Sequence, residues 1–290
     1  MQYPVNQFVD DLNDILKNAP SKHKYEYALC KGISDKGFNF CITLLNLYNL
    51  DNIDYVYNGS TALIIASEHG YLGLVELLIK KGANIEASNI DKCTSLFMAT
   101  LKNHYEVVNI LINNGANANV SAYNIRRPVL MEAILNDNIK IFEILIDNGA
   151  NINASDNRGQ TALMCAVLLT RLNYVKLLLD KNVNVSAIDC DNKSALNHAY
   201  NVCTKSMNSL FFNESKEIVQ LLKDYETKTE NNTTNIENVS PKMEPSNNVL
   251  NTIDGEKIAI PLSLSKQRPI IKMLYSDNIK NPDFRLRESG

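Results

Sequence analysis

The sequence predicts an all-α repeat solenoid followed by a mostly disordered C-terminal tail. Three observations carry that expectation: an alanine recurring at a fixed spacing, an aliphatic run after each of these alanines, and a glycine or asparagine closing each run.

Five segments, TALIIA (61–66), TSLFMA (94–99), PVLMEA (128–133), TALMCA (161–166) and SALNHA (194–199), end on alanines spaced by 33, 34, 33 and 33 residues. A period in this range marks stacked units, none of which buries its apolar face alone. The threonine ahead of the first helix suits an N-cap, its hydroxyl accepting from an orphan amide. The small alanine within that helix lets neighbouring units approach closely. The runs LVELLI, VVNILI, IFEILI and YVKLLL repeat their apolar residues at helical spacing and predict a buried second helix. Gly82, Gly115, Gly149 and Asn182 each follow their alanine by sixteen residues, where a left-handed C-cap is expected.

The end units depart from the pattern. Residues 24–33 and 37–48 read as the two helices of a degenerate first repeat, and a helix over 5–18 is expected to cover its open edge. The third unit lacks the threonine and carries one extra residue near 123–127, so a local distortion is expected there. The fifth holds about eleven inserted residues (204–214) and lacks the closing Gly-Ala, as a terminal cap would. The resulting division is 1–53 for the cap and degenerate repeat, 54–226 for the recognisable repeats, and 227–290 for a linker and tail. The stretch from 227 is rich in Asn, Thr and Glu and too polar to order itself. Residues 256–275 regain apolar side chains but are broken by Pro261 and Pro269. They read as chance hydrophobics in a disordered tail, or as a short motif docking on a partner or on the solenoid itself.

Together these signals resemble the ankyrin-repeat family over roughly residues 20–225. The resemblance implies an ankyrin-repeat α-solenoid of hairpin, helix, loop, helix units, with first helices and fingertips forming a concave binding face. The family usually carries Pro-Leu-His after the capping threonine. Here the histidine position holds Ile64, Phe97, Met131, Met164 and Asn197, so mainly apolar packing is expected instead. The Asn/Ile/Lys-rich style is similar to ankyrin proteins of large DNA viruses, intracellular bacteria and AT-rich protists. The asparagines, about 40 in number, are read as genome composition rather than chemistry.

Composition narrows the function further. Net charge is −3 with no basic stripe, which argues against nucleic acid as a partner. No window offers the roughly 18 apolar residues of a membrane span, and the N-terminus does not read as a signal peptide. Six widely spaced cysteines suggest neither a disulfide framework nor a metal site, and no cofactor motif is present. A nucleophile pair such as Cys165 with His198 would sit about 10 Å apart on adjacent repeats, too far for a hydrogen bond. The expectation is a non-enzymatic, monomeric, cytoplasmic chain, acting in host cytoplasm if it comes from a virus or intracellular parasite.

What remains is a module that binds a protein partner: an adaptor, an inhibitor or a host-directed effector. Two residues past the repeat alanines stand Glu68, Leu101, Leu135, Leu168 and Asn201, so three leucines in register, extended by Leu169, predict an apolar stripe. The opposed possibility is that they pack into the core. The fingertips add Tyr57, Ile90, Ile125, Arg126 and Arg158, residue types suited to interface anchors. Two alternatives stand beside this reading: a structural or self-regulated protein whose C-terminal segment occupies its own groove, and, more remotely, an enzyme scaffolded on the repeats.

Overall fold

The computed structural model of the chain describes residues 4–122, 126–205, 211–237, 249–251 and 257–259. The chain forms two compact units, residues 1–232 and 233–290.

The first unit opens with α1 (Val5–Leu16), whose Phe8, Leu12 and Ile15 repeat at helical spacing and are buried. They pack on α2 (Lys24–Asp35), which pairs with α3 (Phe38–Leu47) as the degenerate first repeat. Gly32 makes this pairing close: a Cβ there would lie 2.4 Å from Phe40 Cε1. Glu26, buried in α2, accepts the backbone N–H groups of Asp51 and Asn52 and so fixes the chain leaving α3.

The antiparallel hairpin of β1 (Val56–Tyr57) and β2 (Ser60–Thr61) begins the regular repeats. The helix pairs are α4 (Ala62–Glu68) with α5 (Leu72–Lys80), and α6 (Ser95–Leu101) with α7 (Tyr105–Asn113). They continue as α8 (Val129–Leu135) with α9 (Ile139–Asp147), and α10 (Ala162–Leu168) with α11 (Leu172–Asp180). The last repeat pairs α12 (Ala195–Lys205) with α13 (Phe212–Glu237). Thr61, Thr94 and Thr161 cap their helices, each hydroxyl accepting from the amide three residues on. Ser194 does the same for Asn197. Pro128 replaces the cap in the third repeat, where no N–H is needed at the helix start.

First helices of seven residues are too short to persist alone. Stacking holds them: α4, α6, α8, α10 and α12 contact one another in succession through fully buried Ala66, Ala99, Ala133 and Ala166. The second helices bury an i, i+1, i+4 triad in every unit: Leu74, Val75 and Leu78; Val107, Val108 and Leu111; Ile141, Phe142 and Leu145; Tyr174, Val175 and Leu178. Ile218, Val219 and Leu222 continue it in α13. Gly82, Gly115 and Gly149 close the second helices at φ of 85°, 89° and 82°, and Asn182 does so at 57°.

Later hairpins reduce to single bridges. Ser88 pairs with Thr94, Ser155 with Thr161 and Ile188 with Ser194, whereas the third repeat pairs Ser121 with Pro128, one residue longer. Ile64, Phe97, Met131 and Met164 are all buried at the family's histidine position. Asn197, the fifth, is exposed, and its side chain accepts from Ser194. Helix α13 runs to Glu237 and so crosses position 227, where the polar tail is expected to start. In the second unit, β3 (Val249–Asn251) and β4 (Lys257–Ala259) pair antiparallel. Apart from residues 257–259, the segment 256–275 lies outside the described residues.

Candidate protein-binding face

The first helices end in step. Leu101, Leu135 and Leu168 are the last helical residues of α6, α8 and α10, and Leu169 follows as a C-cap. They remain 38%, 37%, 39% and 38% exposed, so they are not core residues. One turn earlier, Ile65, Met98, Glu132, Cys165 and His198 form a parallel row that is nearly closed to solvent.

A polar ladder locks these ends together. Asn136 Nδ2 donates to the carbonyls of Thr100 (2.8 Å) and Leu101 (3.2 Å) of the preceding repeat. Asn138 donates to Asn103 Oδ1 at 2.6 Å, His104 reaches Glu68 O at 3.0 Å, and Arg171 pairs with Asp137. Adjacent leucines therefore sit on backbone held in fixed register.

Two buried polar pairs lie in the inner row. Glu132, buried in α8, accepts from Arg127 Nη1 at 2.7 Å. A lone buried carboxylate would be costly, and the guanidinium offsets that. In the last repeat the ring of His198 donates from Nε2 to Asp189 Oδ2 at 2.6 Å. Asp189 Oδ1 meanwhile accepts the N–H groups of Asp191 and Lys193, closing the hairpin turn. Burial pushes the Asp189 carboxyl up, but the Lys193 N–H, the His198 ring and the Asp191 N–H outweigh it and hold the carboxyl below its ordinary range.

The hairpin tips are built alike. Asn89 and Asp156 accept from the second and fourth amides after them, as Asp189 does. Arg126 and Arg158 project from the tips, exposed and without an ion pair among the described residues. Ile90 is 75% exposed, donates its N–H to Gly59 O, and would collide at 2.5 Å with a Cβ on Gly59. Tyr57 is half-buried, edge-on to Tyr27 of the preceding repeat at 5.2 Å, so much of its ring packs across that junction. Ile125 lies outside the described residues.

Burial pushes the Cys165 thiol up to about 11 and the Cys30 thiol up to about 12, which keeps both protonated at neutral pH. His198 spends its Nε2 on Asp189. Among the described residues no three His, Cys, Asp or Glu side chains are grouped to hold a metal, and no helix is long and apolar enough to cross a membrane.

The family model described as ankyrin repeats (3 copies) matches residues 27–122 and 130–235, well over half of the chain. The chain belongs to the ankyrin-repeat family. Ankyrin repeats are protein-interaction modules, and relatives of this ankyrin-repeat chain include the mouse protein "Ankyrin repeat and SAM domain-containing protein 6". That match is 33% identical over 99 residues, 34% of this chain and 10% of the relative. "Putative ankyrin repeat protein FPV031" of fowlpox virus is 32% identical over 80 residues, 27% of this chain and 21% of the relative. The matched stretch is thus a small part of each relative. Among solved structures, a chain from the complex of "Bd0816 Predatory Endopeptidase from Bdellovibrio bacteriovorus" with "immunity protein Bd3460" shares the fold. Its TM-score is 0.58 at 23% identity, covering 66% of this chain and 97% of that one.

One recurring feature of these ankyrin repeats escaped the sequence reading. Where each second helix gives way to the next hairpin, asparagines join the repeats: Asn84 N–H donates to Asp54, Asn117 N–H to Glu86, Asn151 N–H to Asn119 and Asn184 N–H to Asn153, all at 2.7–2.9 Å. The first asparagine of each corner also accepts from the amide two residues on. At these positions asparagine has a physical role, which corrects the reading of its abundance as composition alone. The signal was in the sequence, as Asn117 with Asn119 and Asn151 with Asn153, two apart in successive repeats.

Proposed function

We propose that this ankyrin-repeat chain is a non-enzymatic, cytoplasmic interaction module, an adaptor, inhibitor or host-directed effector, that holds a protein partner on the face made by its first helices and hairpins. The observation that carries this reading is the row of four partly exposed leucines, Leu101, Leu135, Leu168 and Leu169, in step on three consecutive repeats. Single surface leucines need no explanation, but a contiguous apolar row marks a contact site. Ile90, Arg126 and Arg158 form its rim, with the exposed part of Tyr57 at one end and Ile125 included by its place in the sequence. The ladder between repeats supports a preformed surface, so that little ordering is lost on binding. Helices α1 and α13, each burying one apolar face against the stack, support a monomer.

The test is site-specific photo-crosslinking of the full chain in cells, with a crosslinking amino acid placed at Leu101 or Leu168 and, for comparison, at Glu76 or Lys176 on the second helices. A protein partner trapped from the leucine positions and absent from the second-helix positions is the expected result. Trapping from the second helices alone would overturn the assignment of the face.

A further inference from the structure

We infer that the occupant of this face is an amphipathic α-helix of a partner protein, running along the repeats with leucine-like side chains on one stripe and acidic side chains beside it. This rests on the proposed binding face and adds the conformation and charge of what fills it.

Spacing is the first argument. Leu101, Leu135 and Leu168 stand on successive stacked helices, about 10 Å apart at ordinary helix-packing distance. An α-helix rises 1.5 Å per residue, so its positions i, i+7 and i+14 fall about 10.5 Å apart on one face. Three anchors of such a helix meet three leucines without strain. An extended segment could match the spacing with every third residue. However, the floor of this face is made of helices, whose interior backbone groups are already bonded, and an extended chain laid there would leave its own N–H and C=O groups unpaired. A helix brings those bonds with it.

Charge is the second argument. The hairpin tips, at the opposite end of the same first helices from the stripe, present Lys92, Arg126 and Arg158, all exposed and none in an ion pair among the described residues. The acidic side chains on the same three tips are Asp91, exposed, and Asp156, whose Oδ1 closes its own turn. Arg127 is spent on the buried Glu132. The opposite rim is internally neutralised, Lys102 by Glu68 and Arg171 by Asp137. On the last tip Asp191 pairs with Lys193 and Asp189 with His198, so the hairpin flank keeps a net excess of positive charge while the other is paired, which favours a helix carrying Asp or Glu toward the hairpins.

The experiment is selection against the full chain from two displayed peptide libraries. The first fixes leucines at i, i+7 and i+14 of an 18-residue peptide and randomises the flanking positions over Asp, Glu, Ser, Lys and Arg. The second fixes leucines at i, i+3 and i+6. Binders should come from the first library and be enriched in Asp or Glu on one flank. As synthetic peptides they should gain helical circular dichroism on binding and weaken at least tenfold against the Arg126→Glu/Arg158→Glu chain. Neutral or basic binders, binders only from the second library, or none at all, overturn the inference. Binders that weaken with Leu135→Ser but show no acidic preference sink the inference and spare the face. Binders indifferent to Leu135→Ser, with folding checked by melting, sink the face as well.

Discussion

Asn153 Oδ1 accepts the backbone N–H of Asn184 at 2.8 Å, and that one bond ties the corner after the fourth repeat to the corner before it. Asn119 does the same for Asn151 at 2.7 Å and also donates to Gly149 O at 3.0 Å. Removing either side chain strands a backbone amide at a junction between repeats. Asn119→Ala and Asn153→Ala are each expected to cost about 1 kcal/mol. Asn113→Ala, exposed on α7, should cost under about 0.5 kcal/mol. Urea denaturation of the three variants decides it, and equal losses would show the corner bonds to be incidental.

Thr100 is fully buried in α6 and its hydroxyl has no partner among the described residues. The equivalent positions in the next two repeats are Ile134 and Val167, also fully buried. Thr100→Val keeps the shape and removes an unsatisfied polar atom. It should stabilise the protein by about 1 kcal/mol, read as a higher urea midpoint with unchanged slope. A lower midpoint would mean that the hydroxyl has a use the fold conceals.

Thr170 turns the chain between α10 and α11 at φ 54°. The same corner is made by Gly70, Asn103 and Asp137 in the earlier repeats, residues that tolerate the left-handed region where a β-branched one does not. Thr170→Asn is therefore expected to raise stability by about 0.5–1 kcal/mol. A thermal melt that leaves Tm unchanged or lowers it would contradict the strain argument.

The Asp189 carboxylate bears on acid stability. Its folded pKa lies below the ordinary 3.8, so the stability it contributes is fully present above that value and is lost as pH falls through the lowered folded pKa. Asp189→Asn keeps an oxygen for the Asp191 and Lys193 amides but gives up the charge facing His198. Between about pH 4 and pH 2 the melting temperature of the wild type should fall more steeply than that of this variant. Parallel curves would remove Asp189 from the account of acid unfolding.

The repeats were legible because each of their signals is local. A threonine caps three residues ahead, a triad recurs at i, i+1, i+4, and a glycine closes its own helix, so a single 33-residue window contains both cause and effect. The leucine stripe was legible for the same reason, as a fixed offset from the repeat alanine. Glu132 with Arg127 could not be read, because an acidic residue in a helix looks solvated until the longer third hairpin folds an arginine over it. His198 drew notice in the sequence only as a distant neighbour of Cys165, and the fold shows Asp189 turned back to meet it. The corner asparagines join residues 30 to 32 positions apart, and a composition count cannot separate them from asparagines with no such role.

The corner bonds also have a direction. Each repeat offers an amide to the unit before it and a side-chain oxygen to the unit after it, a head-to-tail contact that never closes on itself. A tandem duplication of one whole repeat would meet its neighbours with the same donor on one side and the same acceptor on the other. The array can thus lengthen or shorten by whole units without inventing a new junction.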